Sequence, residues 1–159
     1  MSTPPHIVRL RAYVGHDLLL LPVAAALIHD ERGRLLLQEK SSGEGWGLPA
    51  GLLEPGESPA QTVIREAREE TGLVVRPRAV AGVFGGEAFR YVYPNGDAVE
   101  YTVVVFHCEV IGKSQDPLDP ETLSVRYFDR HEMPTLRLPY PPEMLFAADG
   151  AMGSRNLWA

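Results

Sequence analysis

The chain is poor in cysteine: Cys108 is the single one among 159 residues. An intramolecular disulfide framework and a cysteine-based zinc site are both excluded. Cys108 lies in the apolar run VVVFHCEV, where a buried strand position explains it better than a nucleophile. Long hydrophobic runs are missing as well. The stretch LRAYVGHDLLLLPVAAALIH is interrupted by Arg11, His16, Asp17 and Pro22, which is too broken for a membrane span and starts too polar for a secretory signal. Positive charge is also in short supply. The net charge is -6, and Lys and Arg are scattered, whereas a nucleic-acid surface needs a basic patch. These absences point to a cytoplasmic protein, monomer or homodimer, that binds neither nucleic acid nor membrane.

What is present suits one domain over residues 1–159, long enough to bury a sizeable core and too short for two. The opening MSTPPH reads as a loose terminus over about residues 1–6, and the closing GSRNLWA as a mobile tail over about 150–159. Alternation predicts a strand over 7–14. A second strand over 20–29 turns at Asp30-Glu31-Arg32-Gly33 into a third over 34–39, as a hairpin. Residues 41–47 read as a Gly/Ser loop and 48–53 as short and extended. Further strands are expected over 73–75, 79–84, 87–93, 99–111 and 124–129, with Asn95-Gly96 as a hairpin turn. Residues 113–121 form a polar loop, and 141–149 a C-terminal helix stopped by Gly150.

The strongest local signal is a helix from Pro59 to Thr71. Ser58 is a good N-cap, Pro59 suits the first helical position, Gln61 completes a capping box, and Gly72 supplies a left-handed C-cap. Ala60, Val63, Ile64, Ala67 and Thr71 make one apolar stripe. Glu66, Glu69 and Glu70 share another edge and are expected to look out beside the core, with Glu57 in the loop just before. Like charges at this spacing repel. A glutamate-rich face is ordinarily solvated, but Gly51, Pro55 and Gly56 form a tight turn that lets backbone carbonyls approach an ion. Arg65 and Arg68 are candidate partners for the carboxylates. A hard divalent cation is a stronger one, because Mg²⁺ takes carboxylate and carbonyl oxygens.

Gly51 to Leu73 resembles the Nudix box, G-x5-E-x7-R-E-U-x-E-E-x-G-U with U apolar. Gly51, Glu57, Arg65, Glu66, Glu69, Glu70, Gly72 and Leu73 match, and Ala67 fills the first apolar slot. The flanking LLLQEK, WGLPAG and VRYF segments fit the same family, so the likeness spans about residues 22–133. It implies an α/β fold, an α/β/α sandwich around a mixed sheet. It also implies a Mg²⁺- or Mn²⁺-dependent hydrolase of a small-molecule nucleotide, a nucleoside diphosphate-X or a dinucleotide. On this likeness Glu66, Glu69 and Glu70 are metal ligands, the carbonyl of Ala50 or Gly51 completes the shell, Glu57 assists, and Arg65 orients Glu57. The general base is Glu121, from the loop before VRYF, or Glu57 or Glu69 from the box.

The likeness does not name the substrate. The proline often found about fifteen residues beyond the box in ADP-ribose hydrolases is Ala88 here, and Tyr91 lies near the tyrosine of diadenosine polyphosphate hydrolases. Tyr93, Phe84 and Phe89 are candidates to stack on a base, with core packing as the plainer reading. A nucleoside triphosphate pyrophosphohydrolase is the alternative activity. A non-catalytic nucleotide-binding regulator is disfavoured because the box carboxylates are intact. If the glutamates face outward, Glu70→Gln should remove activity with little loss of fold.

Overall fold

A computed structural model describes residues 3–148. The best-specified element is the helix α2, Pro59–Thr71, with the expected bounds. Its capping box is closed at both ends: Gln61 N–H donates to Ser58 Oγ (3.2 Å), and Ser58 N–H donates to Gln61 Oε1 (2.8 Å). Gly72 ends it at φ 75°, and its N–H returns to the Arg68 carbonyl.

Among the described residues, eight strands form two sheets. They are β1 (Leu19–Ile28), β2 (Leu35–Lys40), β3 (Gly45–Gly47), β4 (Ala50–Leu52), β5 (Leu73–Phe84), β6 (Arg90–Val92), β7 (Ala98–Lys113) and β8 (Thr122–Phe128). The larger sheet runs β4-β1-β7-β5 with β6 also on β7, and the smaller runs β3-β2-β8. β1 and β7 are parallel, while β4 pairs antiparallel with β1 and β5 antiparallel with β7, so the larger sheet is mixed.

Several expectations are corrected. The strand expected over 7–14 is a helix, α1 (Pro5–Val14), so Pro5 and His6 are not a loose end. The segment satisfies both periods, but Pro4-Pro5 opens a helix and Ile7 is its buried residue, while Tyr13 is 90% exposed. β1 and β2 do not form a hairpin. They share one bridge, His29 with Leu35, and part into different sheets. Both edges of β1 are already taken by β4 and β7, which leaves no ladder for β2.

The two strands expected over 73–84 are one, β5, with register shifts that accommodate Pro77. It sits at the edge of the sheet, where a missing N–H is tolerated. Residues 87–89 form a 3-10 turn ahead of the short β6, and Gly45–Gly47, expected as loop, pairs with β2. The Asn-Gly turn forms as expected, with Tyr93 N–H on the Asp97 carbonyl (2.9 Å). The C-terminal helix shrinks to one turn, α3 (Pro142–Leu145). The expected stop at Gly150 and the tail lie outside the described residues.

Alternation along β1 feeds two cores. Leu21, Val23, Ala25 and Leu27 face a core shared with Ile7 of α1, Leu35 and Leu37 of β2, and Tyr140. Ala24, Ala26 and Ile28 face Val63 and Ala67 of α2. Those two alanines matter for the site, because small side chains let the helix lie close on the sheet. Among the described residues no helix is long and apolar enough to cross a membrane.

Candidate active site

The close approach of α2 reverses the expected direction of its glutamates. Glu66 is 1% exposed and Glu70 0%, while Ile64, assigned to the apolar stripe, is 38% exposed. The buried face is Thr62, Val63, Glu66, Ala67 and Glu70. Both carboxylates therefore point into the protein, beside β4. Gly51 makes room for one of them: a Cβ there would lie 2.0 Å from Glu66 Oε1.

Arg65 gathers three of the four carboxylates. Its Nε donates to Glu57 Oε1 (2.6 Å), its Nη2 to Glu57 Oε2 (2.9 Å), and its Nη1 to Glu66 Oε1 (2.7 Å) and, at 3.4 Å, to Glu69 Oε2. Thr62 Oγ1 (2.8 Å) and Glu54 N–H (3.2 Å) also donate to Glu57 Oε2. The Arg65 hydrogen bonds hold the Glu57 carboxyl down at about 2, against the effect of its partial burial. Glu57 is thereby a fixed anion that locks the guanidinium in place. Arg68, the other suggested partner, lies on the exposed side of α2.

Glu70 is held from β2 and β4. Lys40 Nζ donates to its Oε1 at 2.7 Å, while Gln38 Nε2 and the Ala50 N–H (2.9 Å) donate to its Oε2. Burial raises the Glu70 carboxyl, and the Lys40 ammonium and the Ala50 N–H oppose that rise. Three donors around two oxygens are what a carboxylate accepts. Glu66 is provided for differently. Burial and the neighbouring Glu70 push its carboxyl up to about 7, with Arg65 opposing. Its Oε2 is buried with no hydrogen-bond partner.

Gln38 and Lys40 were given no role from sequence. The signal was there: LLLQEK puts two polar residues on one side of a strand that is otherwise buried, two positions apart.

The backbone of β4 has a definite phase. Ala26 N–H bonds the Pro49 carbonyl and Leu53 N–H the Pro22 carbonyl. Alternate residues of an antiparallel pair exchange both bonds, so Gly51 is engaged with Ala24 within the ladder. Ala50 and Leu52 turn their polar groups away from β1, the N–H of Ala50 to Glu70 and the carbonyl of Leu52 to Arg65 (3.2 Å). The Ala50 carbonyl shares that outward side. Of the two backbone groups considered, Ala50's is available and Gly51's is committed.

Glu69 lies at the rim, its side chain 43% exposed. It lines an open cleft of about 540 Å³ with Pro117, Leu118, Asp119, Pro120 and Glu121. The loop carrying Glu121 is tethered: Ser114 N–H bonds the Gly72 carbonyl and Asp119 N–H the Glu69 carbonyl, both at 2.7 Å. The Glu121 carbonyl in turn accepts from Ser41 N–H (2.8 Å). These hydrogen bonds hold the loop against α2 and β2 as one wall of the cleft. Among the other late carboxylates, Glu100 pairs with Arg90 (2.8 Å) and Asp116 with Ser114 (2.9 Å). Phe84 and Phe89 are core, and the Tyr93 hydroxyl bonds that of Tyr101. Cys108 is a half-buried residue of β7, and burial pushes its thiol up to about 12, which disfavours the thiolate that a nucleophile needs.

The residues fit a divalent cation by their chemistry. Four carboxylates, Glu57, Glu66, Glu69 and Glu70, meet two cations, Arg65 and Lys40, and one buried carboxylate oxygen lacks a partner. Among the described residues no three acidic, histidine or cysteine side chains are already converged on one point. The reason is visible: Lys40 and Arg65 hold Glu70 and one oxygen of Glu66.

Known proteins resemble this chain over most of its length. The profile of the NUDIX domain family matches residues 19–146. The chain is 30% identical over 140 residues to an 8-oxo-dGDP phosphatase of Homo sapiens, covering 83% of this chain but 38% of that protein. It is 29% identical over 135 residues to an ADP-ribose pyrophosphatase of Methanocaldococcus jannaschii, covering 82% of this chain and 75% of the relative. Among solved structures, an ADP-ribose pyrophosphatase of Streptococcus suis superposes with a TM-score of 0.63 at 26% identity, covering 79% of this chain and 86% of that one.

Proposed function

The chain belongs to the NUDIX domain family, and from that premise we propose that it hydrolyses the diphosphate linkage of a nucleoside diphosphate-X or dinucleotide with a divalent cation, Mg²⁺ or Mn²⁺. The observation that carries this is Glu66, buried beside Glu70 with one carboxylate oxygen unpartnered. Burying such a pair is unfavourable unless positive charge joins it.

Glu66, Glu69, Glu70 and the Ala50 carbonyl are the proposed ligands. A bound cation would supply neutralisation of charge accumulating on the diphosphate, which is most of the barrier to phosphoryl transfer. The protein does the positioning. Arg65, clamped on Glu57, fixes Glu66 and the Leu52 carbonyl and so sets the distance between helix and β4. Glu121 is the proposed general base. It takes a proton from the attacking water as the new P–O bond forms and the bridging P–O bond breaks, and the departing phosphate leaves through the cleft. Glu69 shares that cleft and is the box alternative for this role.

The relatives named for 8-oxo-dGDP and ADP-ribose both act on diphosphates, which favours this reading over a triphosphate pyrophosphohydrolase. The test is phosphate and nucleotide release from a panel of diphosphates, dinucleotides and triphosphates, with Mg²⁺ and with chelator. Cleavage confined to triphosphates would shift the assignment. Absence of metal-dependent turnover on the whole panel would refute it.

A further inference from the structure

Lys40 is a buried cation, 7% exposed, whose ammonium lies 2.7 Å from a carboxylate that is itself 0% exposed. We propose that Lys40 is the resident counter-cation of the metal site, and that a divalent ion enters by exchange with it, taking over Glu70. This rests on the metal-dependent reading above and adds the state of the protein before the metal arrives.

The geometry supports an exchange rather than the filling of an empty cage, since among the described residues no three acidic side chains already converge on one point. Four carboxylates against Arg65 and Lys40 leave two negative charges, and withdrawal of Lys40 raises that to three facing the incoming ion. Arg65 is not free to leave, since it spans Glu57 with two nitrogens, Glu66 and the Leu52 carbonyl. Lys40 makes a single bond to Glu70 through a flexible stem, so its ammonium is the cation that can withdraw. It also occupies Oε1 of Glu70, while Oε2 is filled by Gln38 and the Ala50 N–H. Glu70 can therefore reach a ligand-sharing geometry most easily by giving up the lysine. Glu66 Oε2, buried and unpartnered, is the ligand atom already waiting.

Gln38 extends the consequence. Its Nε2 holds Glu70, and its Oε1 accepts from Thr122 Oγ1 (3.3 Å), next to Glu121. A move of Glu70 toward the ion is thus felt at Thr122, the first residue of β8 and the neighbour of the proposed base.

The test uses the full chain without nucleotide. Mn²⁺ is titrated and free Mn²⁺ is followed by electron paramagnetic resonance, with melting temperature recorded in chelator and in saturating Mn²⁺. Lys40→Met removes the competitor, so Mn²⁺ affinity should tighten by on the order of tenfold, the size of effect that groups bonded to ligands exert. Its melting temperature should fall in chelator and recover in Mn²⁺. Lys40→Arg should weaken Mn²⁺ binding and keep the metal-free melting temperature, because a guanidinium grips a carboxylate with two donors.

Unchanged or weaker affinity in Lys40→Met, or no extra recovery by Mn²⁺, overturns the exchange. Should Lys40→Met fail to fold, equal or tighter binding in Lys40→Arg overturns it. Glu66→Gln is the control for the site itself: if it binds Mn²⁺ as well as the unmodified protein does, the metal reading and the exchange fail together. If it loses binding while the lysine variants match the unmodified protein, only the exchange fails.

Discussion

Consider Glu70→Gln in the metal-free protein. With an outward carboxylate this change would be mild, even relieving repulsion. With Glu70 buried, the sign reverses. Glutamine has one acceptor oxygen and one donor nitrogen, and Glu70 is met by donors on both sides: Lys40 on Oε1, Gln38 and the Ala50 N–H on Oε2. Either amide orientation sets a donor against a donor. Lys40 is also left as a buried charge without its partner, a situation that costs about 3–5 kcal/mol in general.

For a chain of this size that corresponds to a melting temperature lower by roughly 6–20 °C. The check is urea denaturation in chelator at pH 7. A loss below about 1 kcal/mol would refute the buried ion pair.

The remaining predictions concern the same neighbourhood. Gly51→Ala places a methyl 2.0 Å from Glu66 Oε1 and should cost about 1–3 kcal/mol by overpacking, with Mn²⁺ affinity reduced; an unchanged urea midpoint would mean the helix stands farther off. Gly72→Val meets a backbone at φ 75° with Leu118 Cδ2 3.3 Å away and should cost on the order of 1 kcal/mol or more, read as a lower denaturation midpoint. Glu66, raised from 4.5 to about 7, contributes stability that is present below about pH 4.5 and lost as pH rises through 7 in the metal-free protein. Glu57, lowered to about 2, contributes stability lost as pH falls from 4.5 toward 2. A melting-temperature profile in chelator should peak between those limbs, and saturating Mg²⁺ should remove the upper one. Glu121→Gln should lower kcat by about two orders of magnitude or more with Mn²⁺ affinity kept; full rate there, with loss in Glu69→Gln, would move the base into the box.

What the sequence made legible was local. The capping box, the helix bounds and the left-handed Gly72 depend on residues a few positions apart, so the signal survives without tertiary context. The helix α1 was misread because its apolar residues satisfy both periods, and only the contact of Ile7 with the core selects one. The hairpin of β1 and β2 was misread because a turn signal says nothing about which edges other strands will occupy. The larger error, the direction of Glu66 and Glu70, has a physical cause that a helical wheel cannot represent. A wheel gives the angle of a side chain but not how near the helix lies to its support. Glu66 and Glu70 sit at the flanks of the Val63–Ala67 stripe, and flanking positions are solvated or buried according to that distance. Here Ala24 and Ala26, packed with Val63 and Ala67, and Gly51, where a Cβ would meet Glu66, set it. The run VAAAL in β1 was thus the missing evidence. Small residues in a central strand predict a helix close enough to bury its flanks, and acidic flanks then require hydrogen-bond donors and a cation from the opposite side. Gln38 and Lys40 stand opposite.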